Sequence, residues 1–220
     1  MTLLVACFGR YLTTVDCLPS ALLNLTLCHR WTRGLFMLEQ SWTDSMLACA
    51  FLGVLLLVQQ RRARWLGLTL AFFVGFKQYS VVALPLLFRD GRFPRRAWIE
   101  ALAIATAIAL PFFIWGPADF VNDVVLFQVR QPFREDALSI PAFLSLATGW
   151  RAPGALAFVG VGAVVIWAWP RLGPQSSPSR LPAATALVYL CFFLLAKQAF
   201  CNYYYFAGVL ILAAGALLDA

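Results

Sequence analysis

Residues 97–116, AWIEALAIATAIALPFFIWG, form an apolar run broken by a single charge, Glu100. A bilayer core asks for about 20 such residues in helical form. Hydrocarbon leaves no water to satisfy a backbone amide, so a run of this kind is a helix or nothing stable. Trp98 and Trp115 stand near its two ends. A helical rise of 1.5 Å per residue puts them about 26 Å apart, matching two interfacial aromatic belts.

Further runs repeat the pattern. Residues 44–60 (DSMLACAFLGVLLLVQQ), 152–170, 181–197 and 205–219 read as spans, and 141–149 as a short re-entrant or interfacial piece. The composition agrees: 62% of residues are hydrophobic and 12% charged. A soluble domain carries roughly 25% charged residues. The net charge of +7 would suggest nucleic acid in a soluble protein. Here the arginines cluster between apolar runs, the distribution that orients membrane helices, and a nucleic-acid partner is excluded. Six cysteines without a C-x-x-C pair and one histidine, His29, make neither a zinc site nor a disulfide framework. No metal or other cofactor is expected.

Three loops carry the arginines: 61–64 with three, 89–96 with four and 171–180 with two, and Asp90 is their one acid. The loop 117–140 instead sets Arg130 and Arg134 against Asp119, Asp123, Glu135 and Asp136. The first three loops are therefore assigned to the cytoplasm and the last to the outside. That assignment requires the segment 65–88 to return to its own side. Gly75, Lys77, Gln78 and Ser80 interrupt it in the middle. As one helix it would be about 36 Å long; as a hairpin, each arm would be about 18 Å. The hairpin is preferred, because it sends every polar motif to one face.

The chain has only two lysines, Lys77 and Lys197, each in or beside an apolar run and each followed by glutamine, Gln78 and Gln198. A cation at membrane depth costs about 2.5–3.5 kcal/mol by insertion scales and persists facing a cavity or a partner. A phosphate suits a lysine, a compact charge with three donors. With the hairpin, four polar stretches share the outer face: GLFMLEQSWTDS with Glu39, Gln40 and Asp44; GFKQYS with Lys77 and Gln78; FQVRQPFREDALS with Arg130 and Arg134; and AKQAFCNYYYF with Lys197, Gln198, Asn202, Tyr203, Tyr204 and Tyr205. Amides and phenols suit sugar hydroxyls. The expected ligand is an anionic, sugar-bearing lipid.

The order of RGLFMLEQSWTDSMLACAFLGVLLL, GLTLAFFVGFKQYSVVALPLLF, an outer loop and a Gln/Asn/Tyr cluster resembles the GT-C superfamily of integral-membrane glycosyltransferases. It is similar to the bacterial polyprenyl-phosphate-mannose-dependent mannosyltransferase branch, over residues from about 33 to 219. The resemblance implies transfer of mannose or a similar sugar from a polyprenyl-phosphate donor to a lipid or glycan acceptor on the non-cytoplasmic face. It also implies a multi-pass protein of the bacterial cytoplasmic membrane, surrounded by membrane lipids. Lys77, Lys197, Arg130 and Arg134 would bind the lipid phosphate. Members of that superfamily take their catalytic base from an acid in a first outer loop. No complete first helix and loop precede residue 33 and no Asp-x-Asp occurs, so no base is assigned and the chain is read as N-terminally truncated or as an inactive relative.

The expected fold is all-α, a polytopic helical membrane protein with about six to seven membrane segments, including a short-helix hairpin at 65–88. Residues 1–33 are a poorly defined N-terminal segment and 34–220 a single multi-helix transmembrane domain. Two other functions remain open. A transporter or flippase also uses broken helices and charges at depth, and the two KQ stretches are its only hint of a repeat. A non-catalytic membrane protein would keep the lipid site without the chemistry.

Overall fold

The computed structural model describes residues 43–218. Glu39 and Gln40, and the N-terminal segment 1–33, lie outside the described residues. Among those described, every regular element is helical. Helix α1 is Asp44–Gln59 and α2 is Ala63–Phe76. A 3-10 segment, Gln78–Ala83, leads into α3, Leu84–Asp90, and α4 is Arg95–Trp115. Short pieces follow: α5 (Pro117–Val121), a π turn over Asn122–Leu126, and α6 (Phe127–Arg130). Then come α7 (Ile140–Thr148), α8 (Ala155–Ala168), α9 (Arg180–Leu195) and α10 (Cys201–Ala216).

The long helices pack in an arc, α4 on α2, α2 on α1, α1 on α10, α10 on α9 and α9 on α8. One apolar core runs through it, from Leu47 and Phe51 through Leu70 and Phe73 to Tyr189, Phe193 and Phe206. Its aromatic rings meet edge to face, tilted or stacked: Phe51 lies tilted 5.1 Å from Phe73, Tyr189 edge-on 4.9 Å from Phe206, and Tyr189 stacks on Phe193 at 5.7 Å. Such pairs add to the area they bury.

The helices are apolar nearly all round, which in a helix exposed on one side means lipid rather than water. Helix α4 is the extreme case. It is long and apolar enough to cross a membrane, yet only Ala97 and Ala101 on it are buried. Ile99, Leu102, Ile108 and Ile114 stand exposed, and Trp115 is 88% exposed at its end. The other apolar helices are shorter.

The segment expected to turn back does so. Helix α2 ends at Phe76, Lys77 is extended (φ −148°, ψ 141°), and the chain resumes in the 3-10 segment. The first arm is about 21 Å long and the second about 22 Å. The arms diverge: α2 packs on α1 and α4, while α3 leans on α9 and α8. Near the start of α2, a Cβ on Gly67 would meet Glu100 Cβ at 2.5 Å and the Ala97 carbonyl at 3.1 Å, so α2 and α4 begin at the same end. At the far end of the hairpin, Arg89 Nε donates to the Trp169 carbonyl at 3.0 Å. Gly91, left-handed at φ 74°, abuts Pro174; a side chain there would be strained and would clash. The three arginine-rich loops therefore share one end of the arc. Lys77, the start of α1, the start of α10 and the loop 131–139 share the other.

One boundary differs from expectation. Asn202, Tyr203 and Tyr204 were read as lying between spans, but α10 begins at Cys201 and includes them. The break is the extended link after α9, Ala196–Phe200, which contains Lys197. Starting the helix at Cys201 points Asn202 into the bundle, where it has a partner.

Candidate functional site

Asp44 opens α1 and is fully buried. A bare carboxylate there would be untenable. Three donors meet it, two from the hairpin tip and one from α10. Lys77 Nζ, at the hairpin tip, lies 2.8 Å from Oδ2, and Asn202 Nδ2, in the first turn of α10, lies 2.6 Å from the same oxygen. The Tyr79 hydroxyl donates to Oδ1. The Lys77 ammonium also lies 5.2 Å from the Tyr203 ring and 5.6 Å from the Tyr79 ring, within cation–π range. Tyr79 in turn packs edge-on against Tyr189 and Phe193. The Lys77 side chain is tethered at its ammonium and keeps 20% of its surface exposed.

Beside this cluster, the link after α9 is stitched to the loop before α7. Lys197 Nζ donates to the Gln131 carbonyl at 2.5 Å, and Gln198 Nε2 to the Pro132 carbonyl at 2.8 Å. The Leu138 amide donates to the Ala199 carbonyl at 2.7 Å, and the Tyr204 hydroxyl to the Leu138 carbonyl. These bonds give polar groups of the irregular link and loop partners within the protein. The N-cap of α7 adds to it: Ser139 Oγ accepts from the Ala142 amide at 3.4 Å.

The structure thus brings together Lys77, Asn202 and Tyr203, and beside them Lys197, Gln198 and Tyr204. Gln78 is exposed next to Lys77. The two arginines stand further out. Arg130 is exposed and reaches Asn122 Oδ1 at 3.3 Å. Arg134 forks onto Asp136 at 2.8 and 2.7 Å, with its guanidinium 5.2 Å from the Phe200 ring. Hydrogen bonding to Arg134 holds the Asp136 carboxyl below the ordinary carboxylate range, and the same bonds raise Arg134. Glu135 pairs with Arg151 at 2.8 Å. Among the described residues no group of three or more His, Cys, Asp or Glu side chains could hold a metal ion.

Sequence reasoning placed Asp44 at this end but gave it no partner, and missed Tyr79. A signal was available. Helices α1 and α2 have 16 and 14 residues and a tight turn between them. An acid at the start of one and a lysine just past the end of the other must therefore reach similar heights.

Comparison with known proteins gives a family. The model of glycosyltransferase family 87 matches residues 2–197. The match takes in the N-terminal segment 2–33 that sequence reading left without a resemblance. Neither the curated proteins nor the solved structures contain a match. Nearly the whole chain is covered by the family match, and the all-helical architecture of the described residues fits a membrane glycosyltransferase family of the GT-C type. The chain belongs to glycosyltransferase family 87.

Proposed function

We propose that the chain transfers a sugar, mannose or a close relative, from a polyprenyl-phosphate carrier to a lipid or glycan acceptor on the non-cytoplasmic face of a bacterial cytoplasmic membrane. The observation that carries the proposal is the gathering of Lys77, Asn202, Tyr203, Lys197, Gln198 and Tyr204 at the end of the arc opposite the three arginine-rich loops. The positive-inside rule puts the arginine end in the cytoplasm and this end outside. The chain then crosses with α1, α4, α8, α9 and α10, while 63–90 enters and returns.

Each group has a role in that reading. Lys77 offers the donors that Asp44 does not use to the carrier phosphate, whose charge grows as the sugar leaves. Tyr203 and Tyr204 present rings and hydroxyls to the sugar. Lys197 and Gln198 shape the wall by fixing the link to the loop. Arg130 and Arg134 stand at the outer rim, where they attract the anionic head. Asp44 is engaged by its three donors and serves as a strut for Lys77 rather than as a base.

A second reading draws on the acids. Asp44, Glu135 and Asp136 are all committed to ion pairs. A relative that binds the carrier lipid without transferring the sugar would show the same arrangement.

The test uses the full chain in nanodiscs with polyprenyl-phosphate-mannose. Binding and sugar transfer are followed separately. Lys197→Ala and the amide pair Asp44→Asn/Lys77→Gln, which removes the charges while keeping hydrogen-bonding groups, are each expected to weaken donor binding at least fivefold. Unchanged binding in both would sink the proposal. Binding without transfer by the wild type would favour the second reading.

A further inference from the structure

A cavity of about 570 Å³ opens at the arginine end, far from the site described above. It lies between the end of α8, the first turns of α9 and the last turns of α10, and no role has been given to it. Its size falls in the range of small-molecule sites, roughly 300–1,000 Å³. Its walls are apolar, among them Ala184, Leu187, Leu190 and Ile211, and two arginines, Arg171 and Arg180, also line it.

The arginines are arranged rather than scattered. Arg171 lies with its guanidinium 4.1 Å from the Trp167 ring and donates to the Trp167 carbonyl. Arg180 Nη1 donates to the Arg171 carbonyl at 3.2 Å. Each guanidinium thus spends a donor on fixing its position and keeps others facing out; Arg has five, in a fork that fits phosphate oxygens. Arg180 is also the first residue of α9, where the helix dipole disfavours a cation. An anion between the two arginines offsets that cost. Trp167 and Trp169 are 52% and 45% exposed beside them, at the depth where indole rings mark a headgroup region.

We propose that this cavity binds one anionic glycerophospholipid, its phosphate between Arg171 and Arg180 and the upper part of an acyl chain against the apolar walls. Basic pockets between membrane helices on the cytoplasmic side recognise lipids of this class. The charge selects an anionic head, and walls without polar groups select a chain over a soluble phosphate.

The experiment measures lipid retention by native mass spectrometry, so it does not depend on sugar transfer or on the donor site. The full chain is released from nanodiscs containing equal dioleoyl phosphatidylglycerol and dioleoyl phosphatidylcholine. The wild type is expected to keep phosphatidylglycerol at least fivefold over phosphatidylcholine. Arg171→Gln/Arg180→Gln should bring the two to parity, and the double lysine variant, which keeps the charge, should retain part of the preference. Ala183→Trp, at an exposed cavity position, should lower retention of both lipids. Excess inorganic phosphate should displace nothing. Preference unchanged in the glutamine variant would overturn the proposal. So would retention unaffected by Ala183→Trp, the result if other residues of the chain fill the cavity, or displacement by free phosphate.

Discussion

Replacing Asp44 by leucine isolates what holds the candidate site together. The carboxylate is fully buried and receives Lys77, Tyr79 and Asn202. Removing it strands an ammonium, a phenol and an amide at once. Breaking a buried ion pair from one side costs about 3–5 kcal/mol, and an orphaned buried donor about 1–3 kcal/mol. The two figures overlap, since the stranded lysine is part of both. Lys77 keeps 20% of its side chain exposed and can rehydrate, whereas Asn202, at 6%, cannot. We therefore expect a loss of about 3 kcal/mol for Asp44→Leu. Lys77→Met should cost less, about 2 kcal/mol, because Asp44 keeps two donors, Tyr79 and Asn202. The double variant no longer strands the ammonium. It should be at least as stable as Asp44→Leu alone, with a coupling of about 2 kcal/mol. Equilibrium unfolding of the four proteins in one detergent gives the cycle. Losses that simply add, or an Asp44→Leu loss below about 1 kcal/mol, would refute the reasoning that one carboxylate ties α1, the hairpin tip and α10.

Other expectations follow from single contacts. Gly67→Val drives a side chain into Glu100 and the Ala97 carbonyl and should cost about 1–3 kcal/mol by overpacking, read by thermal unfolding; a neutral result would mean that α2 and α4 are not in contact at that level. Tyr189→Phe removes a buried hydroxyl that donates to the Ser80 carbonyl at 3.2 Å and should cost about 1 kcal/mol in the same assay. The Asp136 carboxyl is lowered by Arg134, so its contribution to the order of the loop is complete above the ordinary aspartate value of about 3.9 and fades as the pH falls through the lowered one. Protection of the Leu138 amide, measured by exchange in fragments quenched from different pH, should fall across that window in the wild type and stay flat in Asp136→Asn.

Much of the architecture was readable because hydrocarbon leaves a chain few choices. The run 97–116 became Arg95–Trp115, and the helix expected from residue 44 starts there. The hairpin was legible from the polar interruption at Gly75–Ser80 together with the arginine count, two independent reasons for the chain to turn back. The start of α10 was not. Asn and Tyr are neutral to poor helix formers in isolation, and what decides the matter is Asp44, more than 150 residues earlier, drawing Asn202 inward at 2.6 Å. Packing faces were also hidden. Helices apolar on every side carry no stripe to read, and contacts are set by small residues such as Gly67, whose value appears only when the neighbour is known. In the site, the lysines were found from their cost, but the counter-charge of Lys77 and the backbone partner of Lys197 are long-range facts.

The break at Lys77 governs parity. A helix that crosses reverses the side on which its chain emerges, while a pair of arms that goes in and comes back leaves that side unchanged. Fused into one helix, residues 63–90 would deliver the start of α4, and the four arginines of 89–96, to the opposite face, and every later helix would run inverted. One extended residue between two short arms thus decides which way up the second half of the molecule stands, and with it whether α10 can bring Asn202 to Asp44 at all.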